Sequence, residues 1–274
     1  MKTRWRRRIR NSTLFLAIVV LVVSLFTAMQ TALWNTTVYS GWFLAGLVVL
    51  LASYNLYKKV PFLPLGSSST WMQIHIYAGF LTAIVFPLHS GFRVPNGFFE
   101  LVLAMFFLLV FTSGVVGLFL TRTLPPRLAT RSEEAIYEKI PGLIHRLKTE
   151  VEEIVFGCIS ETETAAVPEF YMRRLKPFFE QPRYFWSHLF HSERAFKTLL
   201  TDIGEQNRFL NETEQEAMKN ISQRVAVKND LDYQYALQST LKYWLFLHVP
   251  FTYGLSILIV FHVLLVYAFS GVAS

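Results

Sequence analysis

Five long apolar segments, separated by short polar stretches and one long polar insertion, dominate the pattern of the chain. They cover residues 13–33, 38–57, 71–92, 98–120 and 241–269 in approximate bounds. Each approaches or exceeds the ~20 apolar residues that a helix needs to cross a hydrocarbon core of ~30 Å. The pattern therefore predicts an all-α, polytopic membrane bundle of five spans. A cleaved signal peptide is the alternative for the first segment, but its apolar region is usually only about 7–15 residues long.

The polar insertion between spans four and five has the periodicity of amphipathic helices. Apolar residues recur at helical spacing, at Ile136, Ile140, Leu143, Leu147, Val151 and Ile154. Asn211 and Glu214 form a candidate capping box. We expect three parts: spans one to four at 1–121, a helical insertion at 122–239, and span five with a short tail at 240–274.

One stretch of the insertion, residues 167–183, carries three prolines and a basic cluster. That composition predicts a loop with a solvated surface, or one near anionic lipid or an acidic partner. The basic cluster consists of Arg173, Arg174 and Lys176.

The distribution of basic residues predicts how the spans are oriented in the membrane. Apolar residues make up 53% of the chain and charged residues only 16%, so the net charge of +7 does not indicate a nucleic-acid binder. Basic residues instead gather at span ends on one side, at Lys2, Arg4, Arg6, Arg7, Arg8, Arg10, Lys58, Lys59, Arg122, Arg127 and Arg131. The other side has only Arg93. By the positive-inside rule, the N-terminus and residues 122–239 are cytoplasmic, the C-terminal tail is external, and the protein belongs to the inner or plasma membrane.

Four of the seven histidines lie inside predicted spans, where an ionisable side chain is costly and usually functional. Span three contains His75 and His89, and span five contains His248 and His262. Fourteen positions separate each pair, which corresponds to ~21 Å of helical rise and an angular offset of about 40°. Because the two spans run in the same direction, we expect His75 to face His248 at the cytoplasmic level and His89 to face His262 at the outer level.

Two opposed imidazoles can hold a haem from both faces. The single cysteine, Cys158, excludes a CxxCH attachment for c-type haem and a cysteine-ligated iron–sulfur cluster, so the expected cofactors are two noncovalent haem b groups. Arg93, Lys242 and Tyr243 are the candidate propionate partners, and Gly79 and Gly254 are candidates for close approach of a macrocycle.

Other interpretations of the four histidines are interhelical hydrogen bonding, zinc binding and proton relay. Zinc is disfavoured because neither pair has an obvious third or fourth ligand at its depth. The HxxH of His188 and His191 could contribute to a metal site, but without partner ligands we favour surface or packing roles for it and for His145. Cys158 is expected to be a structural thiol. No phosphate-binding glycine motif is present.

The segments HIYAGFLTAIVFPLH and HVPFTYGLSILIVFH, each bounded by its two histidines, resemble membrane dihaem cytochromes b, and in particular the ferric reductase-like transmembrane domain. The resemblance covers spans two to five. It implies that His75, His89, His248 and His262 are axial ligands and that electrons pass through two stacked haems. Members of that family often continue into a sixth span and FAD- and NAD(P)H-binding domains, which have no counterpart here. They also usually have only a short loop where this chain has its long insertion.

The expected function is electron transfer across the bilayer between a redox partner or quinol on one side and an acceptor on the other, as a subunit of an oxidoreductase. The insertion is a candidate docking site for a soluble redox protein. Two alternatives are a quinol-oxidising or quinone-reducing membrane subunit, for which Tyr77, Ser90 and Tyr253 are weak candidates as proton acceptors, and a haem-binding sensor or carrier.

Overall fold

The computed structural model describes residues 2–59, 67–130, 135–162 and 165–270, and in these ranges the regular elements are helices without any strand. Arg131 and the tail at 271–274, which entered the expected topology, lie outside the described residues. Five helices are long and apolar enough to cross a membrane. The chain divides into two compact units, one formed by 1–118 with 244–274 and the other by 119–243. The sequence placed these boundaries at 121/122 and 239/240.

Each long apolar helix has more residues than the span predicted for it, although the first and third end two residues earlier than predicted. Their bounds are Lys2–Thr31 (α1), Thr36–Lys59 (α2), Ser68–Ser90 (α3), Phe98–Leu128 (α4) and Glu212–Ser270 (α10). The basic N-terminal segment is thus part of α1, and α10 begins almost thirty residues before its apolar stretch. Helical hydrogen bonding continues past the apolar residues because a helix satisfies its backbone groups equally well in water.

The first unit buries little of its apolar surface inside itself. A small cluster joins Phe26 of α1, Leu44 of α2, and Leu81 and Val85 of α3. Many large side chains point outward instead, including Leu21 with 68% of its surface exposed and Phe246 with 74%. Outward-facing leucine and phenylalanine on long helices are the arrangement that hydrocarbon favours as a solvent.

Local signals at α3 explain where this helix begins and ends. Ser67 caps its N-terminus by accepting a hydrogen bond from the Thr70 N–H at 3.3 Å. Gly91 ends it in the left-handed region at φ 62°, and its N–H donates to the Pro87 carbonyl. Glycine suits this position because it has no Cβ to clash there. His89 therefore lies in the last turn of a well-terminated helix.

The second unit has a conventional packed core. Its shorter helices are Ile140–Thr162 (α5), Ala166–Phe170 (α6), Lys176–Glu180 (α7), Phe185–Leu189 (α8) and Arg194–Asn207 (α9). The core contains Val151, Cys158, Leu175, Ile203 and Ile221, among others. The buried Cys158 agrees with the expected structural thiol. The candidate capping box is confirmed: Glu214 N–H donates to Asn211 Oδ1 at 2.9 Å, and Asn211 N–H donates to Glu214 Oε2 at 3.1 Å.

The prediction of a loop at 167–183 is wrong. This segment forms α6, a single π-helical turn at Tyr171–Leu175, and α7, and it buries Val167, Phe170, Leu175, Phe178 and Phe179 almost completely. Pro168 lies in the first turn of α6, where a missing N–H costs no intrahelical bond, and Pro177 comes just after the π-helical turn, where the helical hydrogen bonding changes pattern. The proline count was therefore a misleading loop signal.

A fully buried ion pair links this segment to the N-terminal part of α10. Lys228 Nζ donates to Asp232 Oδ2 at 2.6 Å and to the Gln181 carbonyl at 2.8 Å, and lies 4.2 Å from the centre of the Phe178 ring. The Arg183 N–H also donates to Asp232 Oδ2, at 3.2 Å. Because a buried charge without partners is very costly, these contacts fix the end of α7 against α10.

Candidate functional site: two transverse histidine pairs

The four membrane histidines form two pairs between α3 and α10. The ring centres of His75 and His248 are 6.4 Å apart, and those of His89 and His262 are 6.3 Å apart. Since each residue of α3 meets the histidine expected from the equal spacing, the two helices run in the same direction. The pairs are separated by ~21 Å of helical rise.

The separation within each pair matches that of two rings bound to one metal ion. A bond of about 2 Å from metal to imidazole nitrogen, plus about 1.1 Å from that nitrogen to the ring centre, gives centres about 6.2 Å apart for two opposed ligands. The planes of the two rings are inclined by 75° in the first pair and 88° in the second. Opposed axial rings can adopt any such angle because each plane turns about its own metal–nitrogen bond.

The ring of His248 is held from α4. Its Nδ1 lies 2.7 Å from Ser113 Oγ, and that hydroxyl donates its own proton to the Val110 carbonyl at 2.8 Å. The Ser113 oxygen therefore accepts from an Nδ1–H, which leaves Nε2 of His248 with its lone pair. This is the tautomer that a metal ligand requires, and an oxygen acceptor behind the ring is the usual device that fixes it.

Trp244 supports the same ring from one face. Its indole stacks on His248 with centres 5.6 Å apart and planes inclined by 24°. The indole Nε1–H donates to the Ser113 carbonyl at 2.8 Å. A Cβ placed at Gly117 would overlap the Trp244 ring, so glycine is what allows the indole to lie against α4. Ser113, Gly117 and Trp244 together fix the orientation of His248.

The ring of His89 is held from α2. Its Nδ1 lies 3.0 Å from the Thr37 carbonyl, which can only accept, so Nδ1 carries the proton and Nε2 has the lone pair. Ser40 Oγ lies 3.2 Å from the same nitrogen and donates its proton to the Thr37 carbonyl. A Cβ at Gly41 would lie 2.8 Å from His89 Cε1. The glycine therefore provides the space in which the ring sits.

His75 lies beside an aromatic ring, and His262 faces a cavity. The His75 ring lies 5.1 Å from the ring of Tyr54 on α2, with planes inclined by 42°. His262 faces a cavity of about 590 Å³ that it shares with His89 and that lies between α2, α3, α4 and α10. Most of the cavity wall is apolar, with Arg93, Glu100 and Tyr267 among its polar residues. Its volume is within the range of small-molecule and cofactor sites, about 300–1,000 Å³.

The remaining candidate residues from the sequence have different surroundings in the structure. Arg93 lines the cavity beside His89 and His262. Lys242 contacts Glu138, with Nζ donating to Oε1 at 3.1 Å, and Tyr243 is 59% exposed. A Cβ at Gly79 would meet no heavy atom within 4 Å beyond its own turn of helix, whereas one at Gly254 would lie 3.2 Å from the Phe106 ring. The small size of Gly254 thus serves packing against Phe106.

Sequence reasoning missed the residues behind the rings: Thr37, Ser40, Gly41, Ser113, Gly117 and Trp244. Five of them are small or hydroxylated residues in apolar spans, which are common in membrane helices for packing alone, and Trp244 is an aromatic residue near the start of its span, where membrane anchoring is the usual role. In the second unit, His188 is buried against the rings of Tyr184 and Tyr233, so the packing role expected for it is the one observed.

Comparisons with known proteins add no relative. No protein-family model, curated protein or solved structure matches this chain. Within the described ranges, no group of three or more His, Cys, Asp or Glu side chains could hold a metal ion. Among the described side chains, each site thus offers two imidazoles as its donor set.

Proposed function

We propose that this chain is a dihaem membrane cytochrome that carries electrons across a bilayer. The observation that carries the proposal is the repeated ring separation, 6.4 Å in one pair and 6.3 Å in the other, on two helices that run in the same direction. If each histidine only formed an independent hydrogen bond, nothing would require the same separation of ring centres at two levels of the bundle.

The residues fit a haem better than a bare metal ion. Zinc needs about four protein or water ligands, and here two imidazoles face each other without a third candidate among the described side chains. A porphyrin supplies four equatorial nitrogens of its own, so two axial imidazoles complete six-coordination. The Nδ1–H tautomers of His89 and His248 favour ligation through Nε2.

In this proposal, His75 and His248 hold one haem, and His89 and His262 hold the other. Arg93 lines the same cavity as both ligands of the second site, where its positive charge would neutralise an acidic group of the haem. When bound, the two groups supply one-electron redox chemistry at two depths of the bilayer. The chain supplies the ligands, excludes water with apolar side chains, and sets the ~21 Å of helical rise between the ligand levels.

The resemblance to the ferric reductase-like transmembrane domain supports this assignment through the positions and spacing of the four histidines. In the same proposal, the positive-inside rule puts residues 119–243 in the cytoplasm, where they would dock a separate protein that donates electrons to the nearer haem. A reporter fused within 165–227 should then report the cytoplasm and one fused after Ser274 the outside. The reverse result would exchange the compartments of the two haems and leave the pairing unchanged.

The decisive experiment is an optical spectrum of the purified protein with a pyridine haemochrome count. We expect a low-spin, six-coordinate b-type spectrum on reduction and two haems per chain, because four imidazoles make two complete axial sets. A preparation that contains no haem after expression with ample haem supply would contradict the proposal.

A quinol-oxidising site is a second candidate because of one observation in the cavity. Glu100 lines it together with His89 and His262, so a carboxylate that can accept a proton lies beside the second pair. Quinol oxidation releases two protons with its two electrons and needs such groups nearby. Reduction of haem by a short-chain quinol in the purified protein should be slowed by Glu100→Gln if this candidate is correct, and unchanged if electrons come only from a protein donor.

A further inference from the structure

The short helix α8 (Phe185–Leu189) presents two large aromatic side chains away from the core of its unit. Trp186 is 66% exposed and Phe190 is 73% exposed. Their rings stack, with centres 6.0 Å apart and planes inclined by 14°. A flat, contiguous aromatic surface of this kind on a soluble face would be costly to leave in water.

The opposite face of α8 is fixed to the end of a membrane helix. Phe185 and Leu189 pack against a buried cluster that includes Leu124 and Leu128 of α4. Arg127 of α4 donates to the last carbonyls of α8, from Nη1 to Leu189 O at 3.0 Å and from Nη2 to His188 O at 2.8 Å. Since C-terminal carbonyls have no intrahelical partner, these bonds set the position of α8 beside the last turns of α4.

The position of α8 along α4 indicates which part of the bilayer the exposed aromatic surface contacts. The apolar run of α4 ends at Leu120, and Arg122 is the first charged residue after it. Leu124 and Leu128 are ~6 Å and ~12 Å of helical rise beyond Leu120. The polar interface of a bilayer extends about 5–8 Å beyond the hydrocarbon on each side, so the stretch of α4 that holds α8 begins at the level of the lipid headgroups and continues a few ångströms beyond it.

The chemistry of the exposed surface fits that layer. Tryptophan is enriched at membrane interfaces because its ring is apolar and its N–H seeks a polar partner. Arg122 and Arg183, the residue before Tyr184, are both exposed and can reach lipid phosphates. Tyr184 and His191, which flank the segment, both adopt φ 60°. These left-handed residues present Trp186 and Phe190 on the side opposite the anchored residues. The backbone strain of a positive φ in a residue other than glycine has to be offset by a stabilising contact elsewhere.

We infer that α8 is a membrane-interface anchor whose Trp186–Phe190 stack inserts into the headgroup layer of the bilayer crossed by α4. The inference does not depend on haem binding. It gives the second unit its own contact with lipid, in addition to its covalent connections to the spans.

Site-specific labelling tests the contact in the full chain. In a Cys158→Ala background, Trp186→Cys and Phe209→Cys would each be labelled with an environment-sensitive nitrobenzoxadiazole probe. Phe209 is the matched control because it is an aromatic residue of the same unit with 84% exposure. The proteins would be placed in nanodiscs of phosphatidylcholine and phosphatidylglycerol.

We expect the probe at position 186 to have blue-shifted emission. It should be quenched several-fold more than the probe at 209 by a lipid with a nitroxide near the top of its acyl chain. The probe at 209 should be the one quenched by aqueous iodide. Equal iodide quenching at both positions, without lipid quenching at 186, would overturn the inference and leave the aromatic surface for a protein partner.

A second measurement avoids the label. The difference in fluorescence between the wild-type chain and Trp186→Phe isolates the emission of Trp186, and phenylalanine preserves the stack. Brominated lipids should quench this difference signal more strongly when the bromines lie near the headgroup than when they lie near the bilayer centre. A difference signal that no brominated lipid quenches would also overturn the inference.

Discussion

The two histidine pairs have nearly the same ring separation but are held by different kinds of neighbour. At the His75–His248 pair, the tautomer of His248 depends on the side chain of Ser113 and its orientation on Trp244. At the His89–His262 pair, a backbone carbonyl of Thr37 accepts from His89, with the Ser40 hydroxyl beside it. Substitution can remove a side-chain acceptor but not a carbonyl, so the first pair should be the easier one to disturb.

The largest expected effect comes from removing a ligand. His75→Ala or His248→Ala should remove the same haem, and His89→Ala or His262→Ala the other, because ~21 Å of rise prevents one pair from substituting for the other. Each variant should retain about half of the haem or show a high-spin centre beside an intact low-spin one. The measurement is the haem count with the optical spectrum.

Double variants and a control sharpen this test. His75→Ala with His248→Ala should cost little beyond either single change, since the two residues act as a unit, whereas His75→Ala with His89→Ala should abolish both centres. His145→Ala, an exposed residue of the other unit, should change neither. If haem loss grouped His75 with His262, the arrangement of α3 and α10 would be wrong.

The next effect comes from the glycines that admit the supporting rings. Gly117→Ala should displace Trp244 and disturb only the His75–His248 centre, while Gly41→Ala should press on His89 and disturb only the other. Overpacking of this kind costs about 1–3 kcal/mol, which should lower the thermal stability and convert one centre to a high-spin form. Gly46→Ala is the matched control, because a Cβ there meets no heavy atom within 4 Å.

Removing the hydroxyls compares the two pairs directly. Ser113→Ala leaves Nδ1 of His248 without this acceptor and should weaken haem retention at that site by roughly 10–100-fold. Ser40→Ala should have a smaller effect, since the Thr37 carbonyl still accepts from His89. The rate of haem transfer to an excess of a haem-scavenging apoprotein measures both. Equal rates for the two variants would mean that the carbonyl does not orient His89.

The smallest expected effect is electrostatic and confined to the second pair. Arg93→Gln removes a positive charge from the cavity that holds His89 and His262. Because a nearby cation favours the reduced state, the midpoint potential of that centre should fall by roughly 20–45 mV, equivalent to about 0.5–1 kcal/mol of charge interaction. A potentiometric titration should detect this shift at one centre while the other stays unchanged. Arg122→Gln, outside the cavity, is the control.

The sequence predicted the helices and the pairing of the rings but not the supports of the rings. The equal spacing of four histidines on two apolar segments can be read directly from the sequence, and so can the capping box at Asn211. Ser113 and Thr37 act from other helices, and nothing in a single sequence tells which of several hydroxyls in the spans will face a histidine. The prediction of a loop at 167–183 was wrong for another reason, since proline near the start of a helix is compatible with helical structure.

The inclination of the ring planes determines how the proposed centres would respond to a magnetic field. If haem were bound between rings that kept their inclinations of 75° and 88°, the two planes would interact almost equally with the two iron d orbitals of π symmetry and would leave those orbitals close in energy. Ferric centres of this type give highly anisotropic paramagnetic resonance spectra, with one dominant low-field feature in place of three well-resolved ones. If the rings keep these angles when haem is bound, both centres should have such spectra, and a variant that lets one ring rotate should restore the three-line form at that centre alone.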